Sequence, residues 1–393
     1  MGRRRFLQAT ALAGGAALTG TWWRGANALA APMTMARFPE KTDLILLTDR
    51  PPCLETPIKY FREDLTPNDA FFVRWHLSGI PTSVDEKTFR LSVGGNVKQA
   101  LELSVDDLKR NFPKTSVVAV AQCSGNSRSH FKPPVLGGEW GDGAMGCAKW
   151  TGVKLSDLLS KAGVKDGAVE VSFAGLDEAP WPDTPKFAKS LKFDKANDGE
   201  VMVAYAMNDQ PLPMLNGYPL RLVVPGWYAT YWVKSLKTIN VLTEHFKSFW
   251  MDTAYRIPNN PQGNEDPKHL AKDTVPINKH SVRSIFVNPE AGQRLKANQA
   301  IELQGIAFDY GAGIQKVEVT VDGGKNWTAA KLDPEISKFA FRRFRYPWTP
   351  ADKGKATLMC RATNNDGVGQ TTSLWNRSGY MWNVIEPLDV NVV

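Results

Sequence analysis

"VVAVAQCSGNSRSHF", residues 117–131, begins as an apolar strand and breaks off at Cys123 into small and polar residues. Upstream, "FFVRWHLSG", residues 71–79, sets Arg74 and His76 inside an otherwise apolar run. A single cysteine is ordinarily a small hydrophobe packed into a core. Both runs place a chemically active side chain where a plain core strand would carry another apolar one.

Outward from these runs the pattern is mixed. "SVDDLKRNF" (104–112) offers Ser104 as an N-cap with Asp107 three residues on. "KLSDLLSKAG" (154–163) puts Leu155, Leu158 and Leu159 on one helical face, with Gly163 as the stop. Strand patterns such as "TFRLSVGG" (88–95), "AVEVSFAG" (168–175) and "LRLVVPG" (220–226) lie between and beyond the helices. These elements predict an α+β domain with much irregular loop, not an alternating βαβ series. No G-x-x-x-x-G-K-[S/T] loop occurs, so a P-loop nucleotide site is disfavoured.

Residues 255–281, rich in Pro, Asn, Lys and Asp, read as an extended linker. Beyond it the pattern is β. In "IQKVEVTVDGGKNWTAAKL" (314–332), Val317, Val319 and Val321 share a face and Asp322-Gly323 supplies a hairpin turn. With "AIELQGIAFDY" (300–310) and "KATLMCRATNNDG" (355–367) this predicts an immunoglobulin-like β-sandwich. The expected division is an export signal over 1–30, a catalytic domain over 31–268 and the sandwich over 275–393.

The signal is read from a basic start, a Gly- and Ala-rich apolar stretch and the small residues around Ala28-Leu29-Ala30. "RRRFLQ" (3–8) resembles a twin-arginine signal, which implies export of a folded, cofactor-loaded protein to the periplasm. Removing residues 1–30 leaves 44 basic against 40 acidic residues, so the net charge falls from +8 to +4. No Lys/Arg-rich run remains, which argues against nucleic acid, and no later segment is apolar enough for stable membrane insertion. The four cysteines, 53, 123, 147 and 360, show neither CxxC nor zinc spacing. The even count leaves disulfide pairing open, with at most one pair if one cysteine is a ligand.

Nine short motifs in order resemble the sulfite oxidase family of molybdenum enzymes. They are "FVRWH" (72–76), "CSGNSR" (123–128), "GLD" (175–177), "NDQPLP" (208–213), "GYPLRLVVPG" (217–226), "WVK" (232–234), "WMDTAY" (250–255), "VDGGKNW" (321–327) and "WNRSGY" (375–380). The resemblance spans nearly the whole mature chain. It implies a molybdopterin-binding domain followed by a dimerisation sandwich, with Cys123 as the thiolate ligand of molybdenum, a soft donor suited to a transition metal. It places Arg74 and Arg128 on the substrate anion, together with the aromatic pair Trp250 and Tyr255. Tyr255 and Arg74 take catalytic roles. The pterin falls to Phe72, Val73, Arg74, Trp75, His76, Asp177, Asn216, Arg221, Trp232, Val233 and Lys234.

Two positions depart from the family pattern. Asn216 stands where the family has a histidine, and Ser378 where animal members carry an arginine, with Arg377 one place earlier. The implied reaction is oxidation of sulfite to sulfate by oxygen-atom transfer. Electrons then pass singly to a separate c-type cytochrome, because no CxxCH and no heme-binding domain is present. A homodimer, or a heterodimer with a cytochrome subunit, is expected. The alternatives are a reductase of nitrate or S-oxides on the same scaffold and, outside enzymes, a periplasmic binding protein with a sandwich module.

Overall fold

A computed structural model describes residues 35–36, 38 and 40–393; the export signal read over 1–30 lies outside them. Strand dominates, with few and short helices. Both predicted helices form. Val105–Asn111 starts on a reciprocal capping box, Ser104 accepting from the Asp107 N–H while the Asp107 carboxylate accepts from the Ser104 N–H. Leu155–Ala162 buries Leu155, Leu158 and Leu159 and ends on Gly163 at φ 67.

Two five-stranded sheets organise the first domain. One runs Ala188–Lys192, Glu170–Gly175, Leu236–Leu242, Leu91–Gly95, Leu101–Leu103, with Leu236–Leu242 parallel to Leu91–Gly95 and the other pairs antiparallel. The other runs Gln210–Pro211, Met202–Met207, Met145–Lys154, Thr115–Gln122, and Arg221–Val223 also pairs with Met202–Met207. One apolar core, from Phe71 through Trp150 to Val241, joins the two sheets. A smaller sheet brings Cys53 opposite Arg74 across the pair Pro52–Glu55 and Val73–Arg74. The run Gly141–Gly146 has G-x-G-x-x-G spacing, but it feeds the strand Met145–Lys154 instead of a helix, so it is no dinucleotide loop.

The second domain is a sandwich of two sheets. Arg283–Asn288, Ile301–Phe308, Arg342–Trp348 and Lys331–Leu332 form one; Arg294–Leu295, Leu388–Val392, Gly354–Asn364, Ile314–Thr320 and Thr328–Ala329 form the other. Val317 and Val319 are buried between them and Val321 packs at the margin. The hairpin after Ile314–Thr320 is longer than a two-residue turn. The Asp322 carboxylate accepts from Thr320 Oγ1 and from the Lys325 and Asn326 N–H groups, which holds a wide loop open.

The stretch read as a linker is folded. Arg256–Pro258 pairs with Thr274–Pro276, and Ile277 is fully buried. Across the domain boundary, Phe61, Val120, Met145 and Cys147 share a core with Ile285, Val287, Ile306 and Phe341. The sandwich is therefore welded to the strands that carry the candidate site.

Candidate active site

The strand Thr115–Gln122 pairs with Met145–Lys154 up to Gln122 opposite Met145, and there the ladder ends. Cys123 makes one more backbone bond, its N–H to Ala144 O at 2.9 Å. The chain then turns: the Asn126 N–H reaches Cys123 O at 3.1 Å, and Ser127 adopts φ 66. Asn126 Oδ1 accepts from the Ala144 N–H at 2.8 Å, which fixes this turn against the neighbouring strand. Cys123 is thus a buried thiol at a strand end. All four cysteines are buried and unpaired, so the disulfide option is not used.

Cys123 opens on a narrow cavity that also takes Phe72, Arg74 and His76 from the early run, and Asn216, Arg221, Lys234 and Tyr255 from later ones. Burial pushes the thiol above its ordinary pKa, opposed by the Arg74 guanidinium, the Gly125 N–H and Arg128. Arg221 is 3% exposed, its guanidinium 5.2 Å from the Trp150 ring centroid and 5.8 Å from that of Trp232. Burial brings it down to about 9. Lys234 donates to Arg74 O at 2.6 Å, and burial, with Arg221 next, lowers it to about 7. Among the described residues, no carboxylate lines the cavity.

The other wall is aromatic. His76 stacks on Phe187 with centroids 3.8 Å apart, and its Nε2 lies 2.5 Å from Tyr255 Oη. Burial, then the Arg74, Lys234 and Lys189 cations, hold His76 well below its usual pKa, so the imidazole is neutral at pH 7. Tyr255 sits at φ 59 and stacks face to face on Tyr380 of the C-terminal domain, 5.4 Å apart at 6°. A buried, non-glycine residue at positive φ is a strained placement of the kind that clusters at functional sites.

The remaining sequence-selected residues surround this cavity without lining it. Arg128 is caged by backbone, donating to Gly138 O at 3.3 Å and Ser378 O at 3.2 Å, with its Cζ 5.2 Å from the Tyr380 ring centroid. Trp250 sits edge-on to His76 and donates Nε1–H to Pro185 O at 3.2 Å. Asp177 stands within electrostatic reach of Lys234, its carboxyl raised by burial. Trp75 is a core residue, donating to Leu215 O at 3.0 Å, and Val73, Trp232 and Val233 are buried in the core. Arg377 does not enter the cavity: it pairs with Glu265 at 2.6 Å and donates to Ala271 O at 2.7 Å.

Sequence reading missed Ser124, Leu215, Ala229 and Thr230 in the lining, and Tyr380, Lys41 and Lys189 behind it. Ser124 and Tyr380 lie inside quoted motifs and Leu215 adjoins Asn216, so these three were within reach. Lys41 and Lys189 arrive by long-range contact and had no local signal.

Two family descriptions match the chain: the oxidoreductase molybdopterin binding domain over residues 77–250 and the Mo-co oxidoreductase dimerisation domain over 274–391. Sulfite oxidase of Gallus gallus is 30% identical over 361 residues, covering 87% of this chain and 77% of that one. The chain belongs to the sulfite oxidase family of molybdenum enzymes. Mitochondrial sulfite oxidase of Macaca fascicularis is 34% identical over 355 residues, covering 86% of this chain; the chain spans 63% of that relative's length. Among solved structures, the sulfane dehydrogenase SoxCD from Paracoccus pantotrophus superposes with a TM-score of 0.74 at 25% identity, covering 89% of this chain and 87% of that one. The α+β domain followed by a β-rich dimerisation domain is therefore the sulfite oxidase fold.

The donor set of the cavity suits the family's cofactor. Arg221 Nε and Ser124 Oγ are buried there with no hydrogen-bond partner among the described residues. Buried polar groups are normally satisfied, so such atoms in one cavity call for a polar ligand. The buried Arg221 guanidinium, the half-buried Arg74 guanidinium and the Lys234 ammonium, with no carboxylate lining among the described residues, call for an anionic one. A buried thiol at the same place supplies a soft metal donor.

Proposed function

We propose that this chain oxidises sulfite to sulfate, with a molybdenum–pterin group held by Cys123, Arg221, Lys234, Asn216 and the Phe72–His76 run. One observation carries this above all: a buried thiol opens on a cationic cavity that no carboxylate lines among the described residues. When bound, the group supplies a two-electron redox centre at which an oxygen atom drawn from water is transferred to sulfur. Sulfite and water become sulfate, two electrons and two protons, and the electrons leave singly to a separate c-type cytochrome.

The chain's own residues bind and orient the anion. Arg74 brings a guanidinium fork suited to oxyanions to the same cavity as the thiol. Arg128, which also acts on Cys123 electrostatically, adds a second positive charge from behind the loop. The half-buried His76 and the buried Tyr255 form a neutral pair. With Nε2–H donating to Tyr255 Oη, the Tyr255 O–H is free to donate to an oxyanion. Burial raises the phenol's pKa, so that proton stays in place. The aromatic wall of Phe187, Trp250 and Tyr380 excludes water from one side.

The matched dimerisation domain supports a dimer, either of this chain or with a cytochrome subunit. The twin-arginine-like start supports folded export to the periplasm. Sulfite-dependent reduction of ferricyanide and of cytochrome c, with molybdenum measured on the same preparation, tests the proposal. About one molybdenum per chain without any sulfite-dependent reduction would overturn it. The likeness to a sulfane dehydrogenase makes sulfane sulfur the second substrate class to include in that assay.

A further inference from the structure

Lys41 is 9% exposed, and its ammonium donates to three neutral oxygens: Asn68 O at 2.7 Å, Phe71 O at 3.2 Å and Asn216 Oδ1 at 2.5 Å. Three acceptors use all three of its protons. Two of them lie on the turn that leads into Phe72–His76, and the third on Met214–Asn216, so one side chain ties together two walls of the cavity.

The contact also decides which way the Asn216 amide faces. An ammonium has no lone pair, so only Oδ1 can meet it. The amide nitrogen then faces Phe72 O, to which it donates at 3.1 Å, and its second N–H belongs to the cavity that Asn216 lines. The Asn216 backbone carbonyl meanwhile accepts from Arg221 Nη1 at 2.9 Å. We propose that Lys41 is a positioning residue for the pterin's anionic tail: it sets the Asn216 amide with an N–H toward that tail.

The electrostatics agree with this geometry. Burial lowers Lys41 to about 7, with Arg221 adding to the effect and Glu40 and Asp69 opposing it. Glu40 is itself engaged, accepting from the Met214 N–H at 2.9 Å. Arg221 and Lys41 repel each other in a buried place, a cost that an anion beside them offsets. A phosphate-bearing ligand meets that need, and the role rests on the molybdenum–pterin reading above.

The test follows pterin release, read as fluorescence of the freed, oxidised pterin after dilution of the loaded protein. Lys41→Met should release pterin about tenfold faster than the parent, an effect of ~1.4 kcal/mol. Asn216→Leu should do likewise, and the double variant should be no worse than the poorer single, because Lys41 acts through Asn216. Asn216→Asp provides a variant whose fold is protected: the new carboxylate pairs with Lys41, so thermal stability is kept or raised while pterin is lost. Pterin retained within about twofold in Lys41→Met, additive effects in the double variant, or full pterin in Asn216→Asp would each overturn the role of Lys41. A parent protein matured with its cofactor machinery yet free of pterin would instead sink the functional reading itself.

Discussion

Replacing Tyr255 by Phe removes one hydroxyl and little else. The ring keeps its stack on Tyr380, 5.4 Å away, and its place 5.0 Å from the Lys189 ammonium. The strained φ of 59 is common to both residues and cancels. What is lost is the partner of His76 Nε2, at 2.5 Å, in a half-buried neutral imidazole. Leaving such an atom unsatisfied costs about 1–3 kcal/mol of folding stability, and chemical denaturation should show a loss in that range. If the O–H also donates to the oxyanion as charge moves, a hydrogen bond worth about 1.5–3 kcal/mol disappears from the transition state. Turnover should then fall about 10- to 100-fold, with kcat and kcat/KM falling together and KM nearly unchanged. The assay is steady-state sulfite oxidation with a cytochrome c acceptor, normalised to molybdenum content. A kcat within about twofold of the parent at full molybdenum would refute the reasoning and make Tyr255 a packing residue.

Arg74→Gln removes a cation from the anion site; since losing a buried charged hydrogen bond costs on the order of 2–5 kcal/mol, KM for sulfite should rise tens-fold or more, and a change under about twofold would place the pocket elsewhere. Gly137→Ala should act on Arg128 from outside: at φ +132 a new Cβ would lie 2.4 Å from Arg128 Nη1, so the guanidinium must shift, and KM should rise with cofactor content unchanged. His245 is held between Glu170 and Asp252, both at 2.8 Å, which raises its pKa above 6.5. Its contribution to stability is therefore full below that value and is lost as pH rises through the raised one. The melting temperature from about pH 5.5 to 8.5 should fall more steeply in the parent than in His245→Gln, and equal slopes would contradict the assignment.

Much of the site was legible because its residues sit beside local signals. Cys123 follows an eight-residue strand directly, and Arg74 and His76 break an apolar run. The capping box at Ser104 and the stop at Gly163 are likewise written within a few residues of the helices they bound. What was hidden depends on partners far along the chain. Lys41 meets Asn216 across 175 positions, and the Arg128 guanidinium is held by Ser378 O across 250. Composition misled over residues 255–281, where Pro, Asn and Lys suggest a solvated connector. That stretch is ordered instead by Glu265, which pairs with Arg377 from 112 residues away, and by Asn376, which donates to Gly263 O. The same ion pair explains why Arg377 does not replace the missing family arginine.

The central claim is that Cys123 is the protein's ligand to molybdenum in a cationic cavity. X-ray absorption at the molybdenum edge tests it most directly, comparing the parent with Cys123→Ser, each loaded with pterin. The variant should show one fewer sulfur neighbour of the metal, together with loss of sulfite turnover in a folded protein. The same sulfur count in both, or near-parental turnover by Cys123→Ser, would contradict it.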